Sequence, residues 1–119
     1  MRYLLLIYEK EADFAGLSEA EQGKIFEEYM DYTRRIRKSG NYVSGEALEP
    51  IATATTVRVK NGKTVSTDGP FAETREQLGG FYLVEAKDLD EAIKLAAGIP
   101  ASRTGSIEVR PIMPTPPIE

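Results

Sequence analysis

Two stretches of the chain are apolar at consecutive positions, where a strand with one wet face would alternate. One is Arg2-Tyr-Leu-Leu-Leu-Ile-Tyr8, apolar from Tyr3 onward; the other is Phe81-Tyr-Leu-Val84, opened by Gly79-Gly80. Both are predicted as strands covered on both faces. Two further stretches repeat with helical period. After the turn-rich Glu9–Leu17, Ser18 with Glu21 three residues on marks a capping box. Ile25, Tyr29, Tyr32 and Ile36 then form a stripe that Phe26, Met30 and Thr33 widen. Acids (Glu19, Glu21, Glu27, Glu28, Asp31) crowd the start of this helix and bases (Arg34, Arg35, Arg37, Lys38) its end, which complements the helix dipole. Gly40 stands where a left-handed cap is expected. A second capping box, Asp88 with Glu91, starts a helix whose apolar face is Leu89, Ala92, Ile93, Ala96 and Ala97; Gly98 and Pro100 end it.

The remaining segments are shorter. Asn41–Leu48 reads as a strand kinked at Gly45. Thr53–Lys60 and Lys63–Thr67 flank Asn61-Gly62, a strong hairpin signal. Val57 and Val59 alternate with Arg58 and Lys60, so this hairpin is expected at the periphery, half solvated. Asp68–Glu73 breaks the pattern, and Thr74–Gln77 reads as a short helical turn. Ser106–Ile112 is the last strand, with Pro111 marking an edge. Residues 1–112 thus form one domain. Residues 113–119, with Pro114, Pro116 and Pro117, form a polyproline-like tail.

The order β-α-β, inserted hairpin, β-α-β predicts an α+β fold. It is a ferredoxin-like split βαβ with an inserted β-hairpin, an antiparallel sheet with two helices on one face. The helices cover only that face, while Tyr3–Tyr8 and Phe81–Val84 offer apolar side chains to both. A second copy of the same sheet is the simplest cover, so a homodimer is expected.

Composition narrows the chemistry. The 119 residues are 41% hydrophobic and 29% charged, enough for one core. A net charge of −4 argues against a nucleic-acid partner. The chain has no cysteine and no histidine, which excludes disulfides, thiolate nucleophiles, imidazole bases and zinc-imidazole sites. Only hard oxygen ligands remain for a metal, and no calcium-loop motif is present, so neither metal nor cofactor is expected. No glycine-rich phosphate loop occurs. Tyr3–Tyr8 is too short to cross a bilayer or to act as a signal-peptide core, so no membrane partner and a cytoplasmic location are expected.

The run Thr67-Asp-Gly-Pro-Phe-Ala-Glu-Thr-Arg-Glu-Gln-Leu-Gly-Gly-Phe-Tyr-Leu83 resembles the DGPF-motif branch of the YCII-related family. Arg2–Tyr8, Gly45-Glu46, Ala54–Arg58, Asp88–Ala92, Ile99–Ala101 and Gly105–Pro111 agree with it, so the likeness covers nearly the whole chain. The resemblance implies a ferredoxin-like dimeric α+β barrel, an architecture shared with muconolactone isomerases and small cofactorless monooxygenases. It implies no particular reaction. Many members of the branch are encoded beside extracytoplasmic-function sigma factors, which implies a regulatory setting. The YCII proteins proper carry a His-Asp pair proposed as a catalytic dyad. Here the histidine's place falls near Tyr29, and Ile99 stands before Pro100 where the aspartate belongs.

Candidate site residues follow. Asp68, Phe71 and Glu73 form a loop that reads either as a turn anchored by Phe71 in the core or as the mouth of a pocket. Paired carboxylates there could serve as acid and base. Tyr29 and Tyr82 sit on apolar segments as local hydrogen-bonders or as donors to a ligand. Glu46 and Arg110 are orienting groups or halves of salt bridges. The expected function is small-molecule binding near the Asp68–Glu73 loop. The rivals are a sigma-factor-linked interaction partner and a cofactorless isomerase, lyase or monooxygenase.

Overall fold

Tyr3, Leu5 and Ile7 turn to one side of the first strand and Leu4, Leu6 and Tyr8 to the other, and the two sides end differently. The computed structural model, which describes residues 1–118, buries the first set and leaves the second half-exposed. The elements are β1 (Arg2–Glu9), α1 (Glu11–Ala15), α2 (Glu19–Lys38), β2 (Tyr42–Ala47), β3 (Thr55–Lys60), β4 (Lys63–Asp68), β5 (Gln77–Glu85), α3 (Leu89–Ala97) and β6 (Ser106–Pro111). Tight helical turns lie at Ile51–Thr53 and Pro100–Arg103.

The main sheet has four strands in the order β2-β5-β1-β6, and its neighbours are antiparallel. The two apolar strands are therefore central, as their lack of alternation requires. Register sorts the side chains. Leu5 pairs with Tyr82 and Val109, and Tyr3 with Val84, on the side that packs against α2 and α3. Leu4 pairs with Leu83 and Arg110, and Leu6 with Phe81 and Glu108, on the side no helix covers. Both strands are thus sealed on one side only within a single chain. The core joins Tyr3, Leu5, Ile7, Tyr82 and Val84 to Tyr32 and Ile36 of α2, Ala92 and Ala96 of α3, and Ile99 and Ala101 beyond it. Its fully buried centre is Leu5, Val84 and Ile99.

Local signals hold where they involve caps and turns. Ser18 and Glu21 form the expected reciprocal box. Gly40 has φ of 82°, and Asn41 N–H donates to the Ile36 carbonyl, closing α2 in a Schellman turn. Asp88 caps α3 through Glu91 N–H, but Glu91 reaches back to Lys87 N–H and Asn41 instead of completing the box. Asn61 and Gly62 both take positive φ, the two-residue turn that matches strand twist.

Several expectations are corrected. Glu9–Leu17 is not all turn, because Glu11–Ala15 is helical. Thr74–Glu76 is not helical, and Gln77 already belongs to β5, where it pairs with Glu9. Phe26 and Met30 on α2, and Leu89, Ile93 and Ala97 on α3, are exposed. Each helix meets the sheet along a narrower stripe than its apolar residues suggest. Asp68 ends a strand, and Phe71, 80% exposed, anchors nothing in the core. The β3–β4 hairpin is a separate two-stranded sheet, exposed on both faces. That arm extends the molecule to a radius of gyration of 16.6 Å, against about 13.5 Å for a compact chain of this length. From Ile112 to Ile118 the tail has no regular structure, and Glu119 lies outside the described residues. Among the described residues no helix is long and apolar enough to cross a membrane.

Candidate functional site

A cleft of about 880 Å³ lies between α2 and the helix-facing side of the sheet. Three glycines make the room. Gly45, Gly79 and Gly80 line the floor, where an ordinary strand would place side chains. A Cβ on Gly80 would stand 2.8 Å from the Glu46 carbonyl, so strands β2 and β5 approach too closely there for any other residue. Ile7 and Tyr82 complete the floor, and Ile25, Phe26, Tyr29 and Thr33 of α2 form the roof.

The short helix α1 closes one end with Ala12, Phe14 and Ala15. Side-chain hydrogen bonds tether it: Glu11 N–H donates to Gln77 Oε1 at 3.0 Å, and Glu11 Oε1 accepts from Ile51 N–H at 2.9 Å. Phe14 meets Phe26 edge to face at 6.0 Å, which explains why Phe26 is on α2 but not in the core. Ala47 continues the floor opposite Gly80, and Leu48, Glu49 and Pro50 line the cleft beyond it.

Phenols and a threonine face each other inside, and Glu9, Lys10, Glu11, Glu49 and Gln77 also line the cleft. Thr33 Oγ1 donates to the Tyr29 carbonyl at 2.8 Å and lies 2.8 Å from the Tyr82 hydroxyl. The single threonine proton is committed to that carbonyl, so Tyr82 donates to Thr33 and keeps its lone pairs free to accept. Tyr82 also stacks edge-on with Tyr32 and Tyr42, at 5.2 and 6.4 Å. Burial pushes the Tyr29 phenol above its ordinary value, and the Glu9 carboxylate beside it adds to the effect. Burial raises Tyr82 too. Both stay protonated near neutral pH. The arrangement can orient a ligand by hydrogen bonds but offers no phenolate base.

The structure brings three of the sequence-predicted residues to this cleft and leaves four outside it. Tyr29 and Tyr82 border it with their side chains; Glu46 borders it through β2, and its register opposite Phe81 puts its side chain on the open side of the sheet. Asp68, Phe71 and Glu73 lie exposed at and beyond the root of the β3–β4 arm, and Arg110 lies on the edge strand β6, paired with Leu4 on the side away from the helices. No Asp68–Glu73 carboxylate pair lines the cavity. Tyr29, near the place expected for the family's histidine, lies in the cleft, and Ile99, at the place expected for its aspartate, is 1% exposed in the core. Sequence reading missed Phe14, Ile25 and Thr33. The only local signal for Phe14 was an apolar residue within a stretch read as turn.

A sheet of four antiparallel strands, helices packed on one side and an apolar cleft under the longest helix define an α+β protein of ferredoxin-like build. The model of the YCII-related domain matches residues 1–116, and the chain belongs to that family. An uncharacterized protein of Rhizobium meliloti (strain 1021) is 37% identical over 114 residues, covering 94% of this chain and 92% of that protein.

Proposed function

We propose that this YCII-related protein binds a small apolar ligand with an aromatic or flat face in the cleft under α2, and that it works as a homodimer closed over the open side of the sheet. The cleft carries the first part of the reading. Its volume falls within the range of roughly 300–1,000 Å³ usual for ligand sites. The surface it exposes is mainly apolar, from aromatic and aliphatic side chains. The Tyr82 oxygen is an acceptor for a ligand hydroxyl or amide, and Tyr29 supplies a second phenol.

The open side of the sheet supports the dimer. Leu4, Leu6, Phe81 and Leu83 make an apolar centre two strands wide, and Glu46, Glu108 and Arg110 sit on the flanking edge strands in register with it. An apolar centre with a charged rim is the usual anatomy of an interface. Within the family, the run Asp68-Gly69-Pro70-Phe71 supports reading the chain as one of the DGPF-motif branch.

The test is a thermal-shift screen of aromatic and aliphatic metabolites, with each hit confirmed by tyrosine fluorescence, since the chain has no tryptophan of its own. Ala47→Trp is the blocking variant, because Ala47 lies opposite Gly80 at the cleft floor. A hit that stabilises the wild type and is lost in folded Ala47→Trp is the expected result. Absence of any hit, or hits that Ala47→Trp retains unchanged, overturns the cleft as the binding site.

A further inference from the structure

The β3–β4 hairpin stands free of its own chain. All of its strand residues but Thr56 are exposed, Val57 and Val59 at 60% and 69%. Its side-chain hydrogen bonding is confined to the root, where Thr56 Oγ1 donates to the Gly69 carbonyl at 2.8 Å. A two-stranded hairpin with nothing packed on it is marginally stable at best in water. This one is paired along its full length, from Thr55 opposite Asp68 to Lys60 opposite Lys63. It needs cover from outside the chain.

Its charges indicate what kind. Register puts Val57 and Val59 on one face, and Arg58, Lys60 and Lys63 around Val65 on the other. Lys60 and Lys63 are directly opposed, and like charges so placed repel unless an anion lies over them. Among the described residues none of these cations has a carboxylate within ion-pair distance. The same chain carries the complement. From Glu9 to Glu21 it holds Glu9, Glu11, Asp13, Glu19 and Glu21 against Lys10 alone. Those carboxylates also lack a cationic partner among the described residues. An isologous dimer brings each surface to its complement twice.

We infer that the β3–β4 arm is an intersubunit clamp, which lays its basic face on the acidic Glu9–Glu21 segment of a second copy of this chain. The inference rests on the homodimer proposed above and assigns to it a second contact beyond the open sheet. Because Glu11 and Phe14 of that segment close the ligand cleft, the clamp couples assembly to the end wall of the partner's site.

Zero-length carbodiimide cross-linking of a dimer mixed from ¹⁴N- and ¹⁵N-labelled protein tests this. Mixed-isotope peptides joining Lys60 or Lys63 to the Glu9–Glu21 segment are the expected result. Lys60→Glu/Lys63→Glu, checked by circular dichroism, is expected to raise the dissociation constant at least tenfold in sedimentation at low salt. That difference should shrink as salt is added. A dimer without such mixed-label links, or one whose affinity the double variant leaves unchanged, overturns the clamp and leaves the sheet-face dimer standing. A wild type that stays monomeric throughout the concentration range overturns both.

Discussion

Gly45 of β2 lies directly against the ring of Tyr82 on β5: a Cβ built on the glycine would stand 2.9 Å from that ring and 3.0 Å from the Phe81 carbonyl. The ring occupies the space a side chain would need, and from there its hydroxyl reaches Thr33 on the far side of the cleft. Gly45 thus sets the height of the cleft floor. Gly45→Ala is expected to push the ring toward α2, break the hydrogen bond to Thr33 and cost about 1–3 kcal/mol, the usual penalty of overpacking. Urea denaturation reads the loss. Thr33→Val should abolish the same hydrogen bond at smaller cost, which separates the steric effect from the polar one.

The three raised tyrosines predict an alkaline weakness. Burial lifts Tyr29, Tyr32 and Tyr82 above the ordinary value of 10.0. A phenol whose folded-state pKa exceeds its unfolded one gives stability that is complete below about pH 10 and lost as pH rises beyond it, since the unfolded chain releases its proton first. Denaturation midpoints measured from pH 8 to pH 12 should therefore hold steady and then fall. Tyr82→Phe should flatten the fall, because that phenol no longer ionises on unfolding. In the folded protein, the tyrosinate absorbance of Tyr29, Tyr32 and Tyr82 should develop only above the ordinary phenol range.

The fold was legible because its strongest signals are local or strictly periodic. Ser18 with Glu21, Gly40, Asn61-Gly62 and the unbroken apolar runs each settle conformation within a few residues, and each appears where expected. The site was less legible because a cleft is made by what is missing. Gly79-Gly80 signalled close approach of backbones, and Gly80 shows it, but nothing local says that the vacancy lies under Tyr29 and not under Asp68. Phe26 carries the same lesson. By period it belongs to the core stripe; it faces Phe14 instead, because α1 folds up beside α2, and that contact joins segments whose separate patterns give no hint of it.

The narrow stripes by which the helices meet the sheet separate two substitutions of similar chemistry. Leu5 is 0% exposed at the centre of β1, whereas Ile93 is 50% exposed on α3. Leu5→Ala leaves a cavity between fixed neighbours and should cost about 2–5 kcal/mol. Ile93→Ala removes little buried surface and puts a better helix former on an exposed face, so stability should stay within about 0.5 kcal/mol of the wild type. Periodicity alone ranks both positions as core, and thermal denaturation of the pair decides between that pattern and the packing described.

Gly105 is the most confined of the chain's glycines. A Cβ there would fall 2.1 Å from the Tyr8 carbonyl and 3.2 Å from the Glu9 Cα, both backbone atoms, so no rotamer change relieves the clash. The close approach is what lets β6 start in register, with Ser106 opposite Tyr8. It also keeps Thr104 within 3.1 Å of the Glu9 carboxylate, the group that faces the Tyr29 phenol. Gly105→Ala must part the strands at this end, at a cost of about 3 kcal/mol. Amide exchange should accelerate first in the β1–β6 ladder near Tyr8, before the β1–β5 ladder changes. The Tyr29 phenol should respond as well, its titration moving as Glu9 shifts. A variant that exchanges like the wild type at Tyr8 would show that the approach is looser than described.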